Sequence, residues 1–469
     1  MKLCEMLRTN PTSFSRKHVG KGTVSLLLFL IFFNLLINIY LYRFYLNHSS
    51  AKQFVLKKEI GLYCTLFFLS HPTHNNWDSW LYLYRAYHYI HKHPHMNIYK
   101  EFYFHKGMKF QYSPMSILLM EPFRKLSLKK FIKTANYISW VGIWLSIFLL
   151  AKIFSTSLQK FPQTQAPLFG DFWSKFVLAF CFSVTYYPLM DSYRLGQIQT
   201  WIYLLFILAT WMWMLDKKEI AGILIGINAL IKPQFGLFLF WGLAKKEKRF
   251  VLGWSCLFFP VLFLSLCTFG LHHHVEYVKF LHYISKHGES YHPNQSINGL
   301  LYRLFHIGPN IRPGNHWYAP YRPWIHTVSY VSFFLFIIPA MFVGSTGPDK
   351  TKGLLDFSIA AVSFTLASPI AWTHHYSIML PLFVIAFSVI LNLPSNFTYM
   401  VVLAVSFVLC SNFIYLSNYL YYSSLNILQS LTFWGGVLFL LLLYKLRTEI
   451  GENPITTANR YPDSHNLDS

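Results

Sequence analysis

Long runs of apolar residues dominate the pattern of this chain of 469 residues. In a helix, about 20 apolar residues span the hydrocarbon core of a bilayer. Shorter or interrupted runs lie at 111–124, 174–190 and 220–244. Runs close to the spanning length lie at 24–42, 134–151, 198–215, 250–270, 326–345, 354–370, 376–393, 398–416 and 427–444. The pattern predicts an all-α integral membrane protein with about 10–13 transmembrane helices.

Composition and charge agree with a membrane protein. Hydrophobic residues make up 54% of the chain and charged residues 12%, against roughly 25% charged residues in soluble domains. The 40 Lys and Arg exceed the 18 Asp and Glu, which gives a formal charge of +22. Because the basic residues are scattered among apolar runs, we attribute this charge to the positive-inside bias and to contact with anionic membrane lipids. We therefore expect no nucleic-acid partner.

The flanking charges predict the topology. Several cations precede the first apolar run, and no small-x-small cleavage site follows it, so this run is expected to be an anchor with a cytoplasmic N-terminus. Lys445 and Arg447 place the C-terminus on the same side. The expected organisation is a cytoplasmic tail 1–23, a membrane domain 24–447 with extracytoplasmic segments 43–110 and 271–325, and a disordered cytoplasmic tail 448–469.

Two apolar runs leave the topology open. The run 220–244 has cations at both ends and Lys232-Pro233 in its middle. A broken re-entrant hairpin that carries Lys232 at its tip fits these features. A complete crossing, with the lysine side chain extended to the cytoplasmic headgroups, fits them too. The run 111–124 is equally ambiguous, and parity requires that both runs cross or that neither does.

A lone carboxylate follows the first anchor. Asp78 stands in Asn76-Trp77-Asp78-Ser79-Trp80, in a chain with few acids. A carboxylate at a membrane interface can serve as a general base that takes a proton from a hydroxyl group. The alternative interpretation is that Asp78 caps a helix that begins at Ser79, because Asp is a favoured N-cap residue.

Further polar clusters lie inside the apolar runs or at their boundaries. Polar groups that face lipid are costly, so we expect these clusters to converge on a water-filled cavity. In chain order they are Asn97-Ile98-Tyr99, Phe110-Gln111-Tyr112-Ser113-Pro114, Arg194-Leu195-Gly196-Gln197-Ile198-Gln199, Leu230-Ile231-Lys232-Pro233, Asn294-Gln295-Ser296 with Arg303, and Ser368-Pro369-Ile370-Ala371-Trp372-Thr373-His374-His375 with Leu380-Pro381.

Taken in this order, the clusters resemble glycosyltransferase family 87, the polyprenol-phosphate-mannose-dependent α-mannosyltransferases of the GT-C superfamily. The resemblance runs from about Asn76 to Pro381. It implies a polytopic GT-C fold, a lipid-phosphate sugar donor in place of a nucleotide sugar, and transfer with inversion. The chain departs from the family at Gln199, where an Asn commonly follows Gly-Gln-x.

The remaining site residues follow from the charge on the leaving phosphate. Cations and hydrogen-bond donors must offset that charge, and the candidates are His374, His375, Lys232 and Arg303. Candidates for contact with sugar or acceptor are Gln197, Asn294, Gln295, Trp372 and Tyr112. Helix capping or interfacial packing is the alternative for each. No metal or cofactor is expected, because the contiguous His272-His273-His274 cannot all face one ion and is predicted to be exposed loop.

The sequence therefore predicts a glycosyltransferase of the plasma (inner) membrane, acting in the cell envelope. It is expected to move a mannose-like hexose from a polyprenyl-phosphate sugar to a glycolipid or glycan acceptor on the extracytoplasmic face. The alternative is a transporter or flippase of lipid-linked sugars, although the internal repeats common in transporters are not visible. A non-catalytic scaffold would need neither Asp78 nor the histidine pair. The acceptor, the sugar and the pathway stay open.

Overall fold

The computed structural model describes 32–44, 60–160, 171–308, 319–343, 350–391, 397–411 and 420–452, with isolated residues at 25, 29, 47, 310, 393 and 417. The described part of the chain is 81% helical and has no sheet, which confirms the predicted all-α polytopic class. Its β structure is one isolated bridge between Asn294 and Trp372. The predicted tail 1–23 and most of the predicted tail 448–469 lie outside the described residues.

The α-helices are numbered in chain order. They are α1 (32–44), α2 (Gly61–Ser70), α3 (Trp80–Lys92), α4 (Pro114–Ile117), α5 (Leu128–Lys160), α6 (Phe172–Thr185), α7 (Tyr187–Leu195), α8 (Gln199–Met214), α9 (Lys218–Ile231), α10 (Leu237–Ala244), α11 (Lys248–Phe269), α12 (Leu271–His287), α13 (Ile297–Leu304), α14 (Pro323–Phe342), α15 (Lys350–Ala367), α16 (Met379–Ile390), α17 (Phe397–Ser411) and α18 (Leu431–Glu452). Short 3₁₀ helices cover Leu118–Phe123, Pro233–Gly236, Thr373–Ile378 and Ser424–Ser430, and a π-helix covers Lys100–His105.

Several helices have the length and composition of membrane spans. Among the described residues, five are long and apolar enough to cross a bilayer: Leu128–Leu158, Lys248–Phe269, Pro323–Phe342, Thr373–Ile390 and Ser424–Ile450. Shorter apolar helices lie at Gly61–Ser70, Phe172–Thr185, Gln199–Met214, Pro233–Ala244 and Phe397–Ser411. The first of these falls inside the segment 43–110, for which the sequence predicted no apolar helix. The protein is an integral membrane protein.

The run 220–244 folds as a broken hairpin. Helix α9 ends at Ile231 and Lys232 is extended, since a residue before proline disfavours the helical conformation. The ends of the run lie together: Lys218 Nζ is 2.6 Å from Glu247 Oε2, which directly precedes α11. A Cβ on Gly222 would meet Phe250, and a Cβ on Gly242 would meet the same residue. Of the two predicted topologies, the structure has the hairpin, with Lys232 at its tip.

The run 111–124 is short. Helix α4 and the following 3₁₀ helix together cover Pro114–Phe123, and Ser113 caps α4 by accepting a hydrogen bond from Ser116 N. These ten residues are too few to span a bilayer. Together with the hairpin, this length favours the alternative in which neither run crosses, and that topology stays a prediction.

The prediction that the three contiguous histidines form an exposed loop is wrong. They lie in α12, and His273 is fully buried, with Nε2 3.0 Å from Pro94 O. The helical period places His273 on the buried face of α12 with Tyr277, Phe280 and Ile284. The apolar residues that follow the histidines favour an amphipathic helix, and the three histidines form its first turn. The three histidines taken by themselves do not indicate this helix.

Candidate active site

The loop that carries Asp78 is attached through its backbone to the end of α7. Asp78 N donates to Leu195 O over 3.1 Å, and Ser79 N donates to Gly196 O over 3.1 Å. Gly196 ends α7 in the left-handed conformation, with φ of 73°. A Cβ there would lie 2.3 Å from Asn76 O, so only glycine permits this close approach. Two segments distant in sequence thus meet beside the carboxylate.

Hydrogen bonds join Asp78 to two other predicted site residues. Gln197 Nε2 donates to Asp78 Oδ2, and Gln197 Oε1 accepts from Ser79 Oγ at 2.7 Å. The Ser79 hydroxyl also lies 2.7 Å from the Tyr112 hydroxyl. Helix α3 begins at Trp80 with Ser79 at its N-cap and no side-chain cap bond. Asp78 therefore does not cap this helix, and the alternative interpretation of this residue is wrong.

The charges around Asp78 oppose one another. Burial raises the pKa of this carboxyl, and the charge of Lys109 and the hydrogen bond from Gln197 lower it. Asp191 raises the same pKa and Arg194 lowers it, and these two side chains are hydrogen-bonded to each other, with Arg194 Nε 2.9 Å from Asp191 Oδ1. Asp78 remains partly exposed. A carboxylate with a raised pKa and access to the outside is suited to accept a proton.

The histidine pair lies against the tip of the hairpin. His374 and His375 are buried in the 3₁₀ helix Thr373–Ile378, just before α16. Lys232 Nζ donates to Gln199 Oε1 over 2.7 Å, and Gln199 Nε2 donates to Ser377 Oγ over 3.2 Å. Gln199, which stands where the family commonly has Asn, thus connects the lysine to the helix of the histidines.

This neighbourhood favours an anion. Within the described residues, His374 Nε2 and His375 Nδ1 are buried without a hydrogen-bond partner. Lys232 lies close enough to interact electrostatically with both rings, and Lys109 with the first. No group of three or more His, Cys, Asp or Glu side chains in the described part of the chain could hold a metal ion. Unpartnered ring nitrogens beside two ammonium groups are suited to bind phosphate.

Two charged residues near the site were missed by the sequence analysis. Lys109 Nζ lies 2.8 Å from Glu289 Oε1, and Glu289 Oε2 accepts from Trp372 Nε1 at 2.6 Å. The ammonium also lies 4.8 Å from the Trp372 ring centroid. Signals were present: Lys109 directly precedes the Phe110 motif, and Glu289 is one of two acids in 271–325. The acid is rare there, but rarity alone does not reveal its partner.

Asn294 and Gln295 connect two loops. Asn294 Oδ1 accepts from Ala371 N at 3.0 Å, and Asn294 Nδ2 donates to Glu289 O over 2.9 Å. Gln295 Nε2 donates to His292 O and to Gln429 O over 2.7 and 2.8 Å. Both side chains are buried. The Asn294 amide therefore holds the loop before α13 against the loop before the histidines, and the Gln295 amide holds it against the 3₁₀ helix before α18. Both amides are occupied by backbone partners.

Arg303 supports the same loop from α13. It is 1% exposed. Its Nη1 donates to Asn294 O over 2.9 Å and to Tyr291 O over 3.3 Å, and its Nη2 donates to Ser430 Oγ over 2.6 Å. Burial lowers the pKa of this guanidinium to about 9, against the opposing charge of Glu289. The structure thus brings together Asp78, Gln197, Tyr112, Trp372, His374, His375 and Lys232, and places Asn294, Gln295 and Arg303 in supporting contacts.

Comparison with known proteins identifies the family. The sequence model of glycosyltransferase family 87 matches residues 110–369, just over half of the chain. The match includes Lys232 and ends before the histidine pair, and Asp78 lies on its N-terminal side. No curated protein and no solved structure matches the chain. The family match confirms the resemblance seen in the ordered motifs, and the chain belongs to glycosyltransferase family 87 and is a membrane glycosyltransferase.

Proposed function

We propose that this enzyme transfers a mannose-like hexose from a polyprenyl-phosphate sugar to a glycolipid or glycan acceptor, with inversion, on the extracytoplasmic face. The observation that supports it most is the arrangement of base and anion site. Asp78 is partly exposed and within the electrostatic reach of Lys109. The same lysine acts on His374, whose Nε2 has no partner in the described residues. A hydroxyl at the carboxylate and a phosphate at the histidines would belong to one reaction.

The transfer is a single displacement. The acceptor oxygen bonds to the anomeric carbon while the bond from that carbon to the phosphate oxygen breaks. Asp78 takes the hydroxyl proton, and Gln197 holds the carboxylate in place. The electron pair of the broken bond leaves with the polyprenyl phosphate. Its charge is offset by Lys232 and by the histidine pair, which are preorganised by Gln199 and α16.

An apolar cleft supports a lipid-linked donor. It holds about 630 Å³, part of which is open to the outside. Leu380, which lines the cleft, follows His375 by only five residues along the chain. We propose that the isoprenoid chain of a donor with its phosphate at the histidines lies along α16 in this cleft. The lining is wholly apolar: Leu150, Phe154, Leu178, Ala179, Phe182, Leu380, Phe383, Val384, Phe387, Met400, Leu403, Ala404 and Phe407.

Clustered charges support the proposed face of the membrane. At the base of the hairpin, Lys245 Nζ lies 3.8 Å from Asp356 Oδ2, and the same carboxylate accepts from Arg447 near the end of α18. Lys218 pairs with Glu247 in the same region. The positive-inside rule assigns this cationic end to the cytoplasm. The hairpin tip, and the site beside it, then belong on the extracytoplasmic side of a plasma (inner) membrane.

Replacement of the base tests the proposal. Asp78→Asn is nearly isosteric, and we expect it to lower transfer from polyprenyl-phosphate mannose by about 10²–10⁴-fold because the proton has no acceptor. Donor binding and thermal unfolding of the purified variant should stay close to wild type. Glu121→Gln, which removes an acid exposed by 48%, is the matched control and should retain activity.

Two outcomes would contradict the proposal. Transfer by Asp78→Asn at the wild-type rate would remove this carboxylate from the mechanism. Purified wild-type protein that moves intact donor across a bilayer, and forms no glycosylated product with any acceptor tried, would instead support the flippase alternative.

A further inference from the structure

The ion pair between Lys109 and Glu289 differs from the surface pairs of this protein. It joins residues 180 positions apart, and its side chains are 11% and 2% exposed. By contrast, Lys279 and Glu276 pair within one helical turn at 67% and 27% exposure. Burial of two charges is often no better for stability than a well-packed apolar pair. The pair therefore requires an explanation beyond stability, and its position supplies one.

Lys109 lies close to both the base and the anion site: its ammonium is 4.8 Å from the centroid of the Trp372 ring, and that centroid is 5.5 Å from the centroid of the His374 ring. It acts electrostatically on Asp78 and on His374. During transfer, negative charge develops on the phosphate, while the attacking hydroxyl loses its proton to the carboxylate. A fixed cation near both positions stabilises the ionised base and the departing phosphate together.

We propose that Lys109 contacts the donor phosphate during transfer, and that Glu289 is the positioning residue that holds the Lys109 ammonium there. This inference rests on the proposed function and adds a phosphate ligand and its support to the same site. Glu289 acts through Lys109 and through the Trp372 indole, and it does not contact the reacting atoms.

Trp372 links this unit to the histidines. Its Nε1 donates to Glu289 Oε2 over 2.6 Å, its ring lies below the ammonium, and its backbone forms the bridge with Asn294. His374 follows two residues later. The same short segment therefore positions the Lys109 ammonium through Trp372 and carries the His374 ring. The two proposed phosphate contacts, Lys109 and His374, are thus held in a fixed relative position.

The test separates a catalytic cation from a structural ion pair. We expect Lys109→Met to lower kcat for the polyprenyl-phosphate sugar by about 10²-fold. Lys109 lowers the pKa of Asp78, so its removal should also move the acid limb of the kcat/KM profile to higher pH, because the base then ionises only at higher pH. The other charged groups that act on Asp78, Asp191 and Arg194, are unchanged, as is the hydrogen bond from Gln197. Lys109→Arg should restore the limb and part of kcat.

Glu289→Gln tests the positioning role. This substitution leaves Lys109 in place but weakens the ion pair that positions it, so we expect kcat to fall by about tenfold. The acid limb of the kcat/KM profile should move less than in Lys109→Met. The double variant Lys109→Met/Glu289→Gln leaves no unpaired buried charge, and so provides a folded protein if a single variant does not fold. Lys106→Met, which removes an exposed lysine that pairs with Glu101, is the control and should behave as wild type.

The two levels of failure are distinguishable. Folded Lys109→Met, or the folded double variant, with the wild-type kcat and an unmoved acid limb would overturn this inference and leave the proposed function intact. Wild-type enzyme that transfers no sugar from a polyprenyl phosphate, under conditions where it transfers sugar from another donor, would overturn the proposed function itself.

Discussion

Lys232 and Arg303 are both buried cations beside the same site, but they use their hydrogen-bond donors differently. Arg303 directs Nη1 and Nη2 at Asn294 O, Tyr291 O and Ser430 Oγ. In the described residues, the Lys232 ammonium has one hydrogen bond, to the amide oxygen of Gln199. Both terminal nitrogens of the arginine are thus committed to the protein, and only its buried Nε has no partner in the described residues. The lysine, by contrast, keeps most of its donors available for an anion.

This difference in hydrogen bonding indicates different roles for the two buried charges. A buried cation that saturates backbone carbonyls stabilises a loop, and its loss leaves those carbonyls unsatisfied. A buried lysine whose single partner is neutral is costly to keep, and in a membrane domain such residues are typically functional. We therefore assign Arg303 to the support of the 289–296 loop and Lys232 to the proposed phosphate site. Four experiments test this contrast.

Arg303→Met should give the largest effect. It removes three hydrogen bonds from a buried site, and we expect a loss of about 3–5 kcal/mol in the free energy of unfolding. Thermal unfolding of the purified protein in detergent measures this loss. Arg322→Met, at an exposed position, is the matched control. A variant as stable as wild type that no longer binds donor would show instead that Arg303 contacts the phosphate.

Lys232→Met should lower activity without this loss of stability. We expect transfer to fall by about 10²-fold, because one of the cations that offset the leaving charge is gone. The unfolding temperature should stay the same or rise, since an ammonium has been removed from the membrane domain. Lys217→Met, at the exposed base of the hairpin, provides the comparison. Full transfer activity in Lys232→Met would show that the two cations do not differ in the way described.

Single replacements of the histidines should give smaller effects. We expect His374→Ala or His375→Ala to lower turnover by about tenfold, with the larger effect at the ring that contacts phosphate. Turnover and donor affinity should be measured for each variant. His274→Ala, whose ring bonds to Ser265 away from the site, serves as control. Two variants with wild-type turnover would restrict the phosphate site to the lysines.

Removal of divalent cations should have no effect. In the proposed mechanism, the charge of the phosphate is offset by Lys232, Lys109 and the histidines, so transfer should continue after treatment with EDTA. Initial rates before and after chelation, and after addition of Mg²⁺ or Mn²⁺, measure this. A rate that falls with EDTA and recovers with metal would contradict the proposal that side chains alone balance the charge.

Apolar run length and Pro positions predicted much of the fold. The runs at 250–270 and 326–345 correspond to α11 and α14 within a few residues, because a membrane span is a local property of sequence. The break at Lys232-Pro233 was also local. The choice of the hairpin over a crossing was not local, since it depends on the meeting of Lys218 with Glu247 and of Gly222 with Phe250.

The sequence predicted the site residues that stand in recognisable motifs. It did not predict residues whose role depends on a partner that is distant in the sequence. Asp78 and Gln197 were both named in advance, and the structure joins them. Nothing in the local sequence of Lys109 predicts a partner 180 residues away. Asn294 was proposed as a sugar contact because amides often serve this role. Its side chain has three backbone partners, Glu289 O, Pro369 O and Ala371 N, and they come from two loops that only the folded chain brings together.

Gly196, at the end of α7, determines which substitutions nearby leave the position of Asp78 unchanged. Asp78 is placed by main-chain hydrogen bonds to Leu195 and Gly196, and backbone atoms are common to all residue types. Substitution of the Leu195 side chain therefore leaves the position of the carboxylate unchanged, while any side chain at Gly196 displaces Asn76 and the carboxylate with it. The position of the proposed base thus depends on a residue that has no side chain and takes no part in the proposed chemistry.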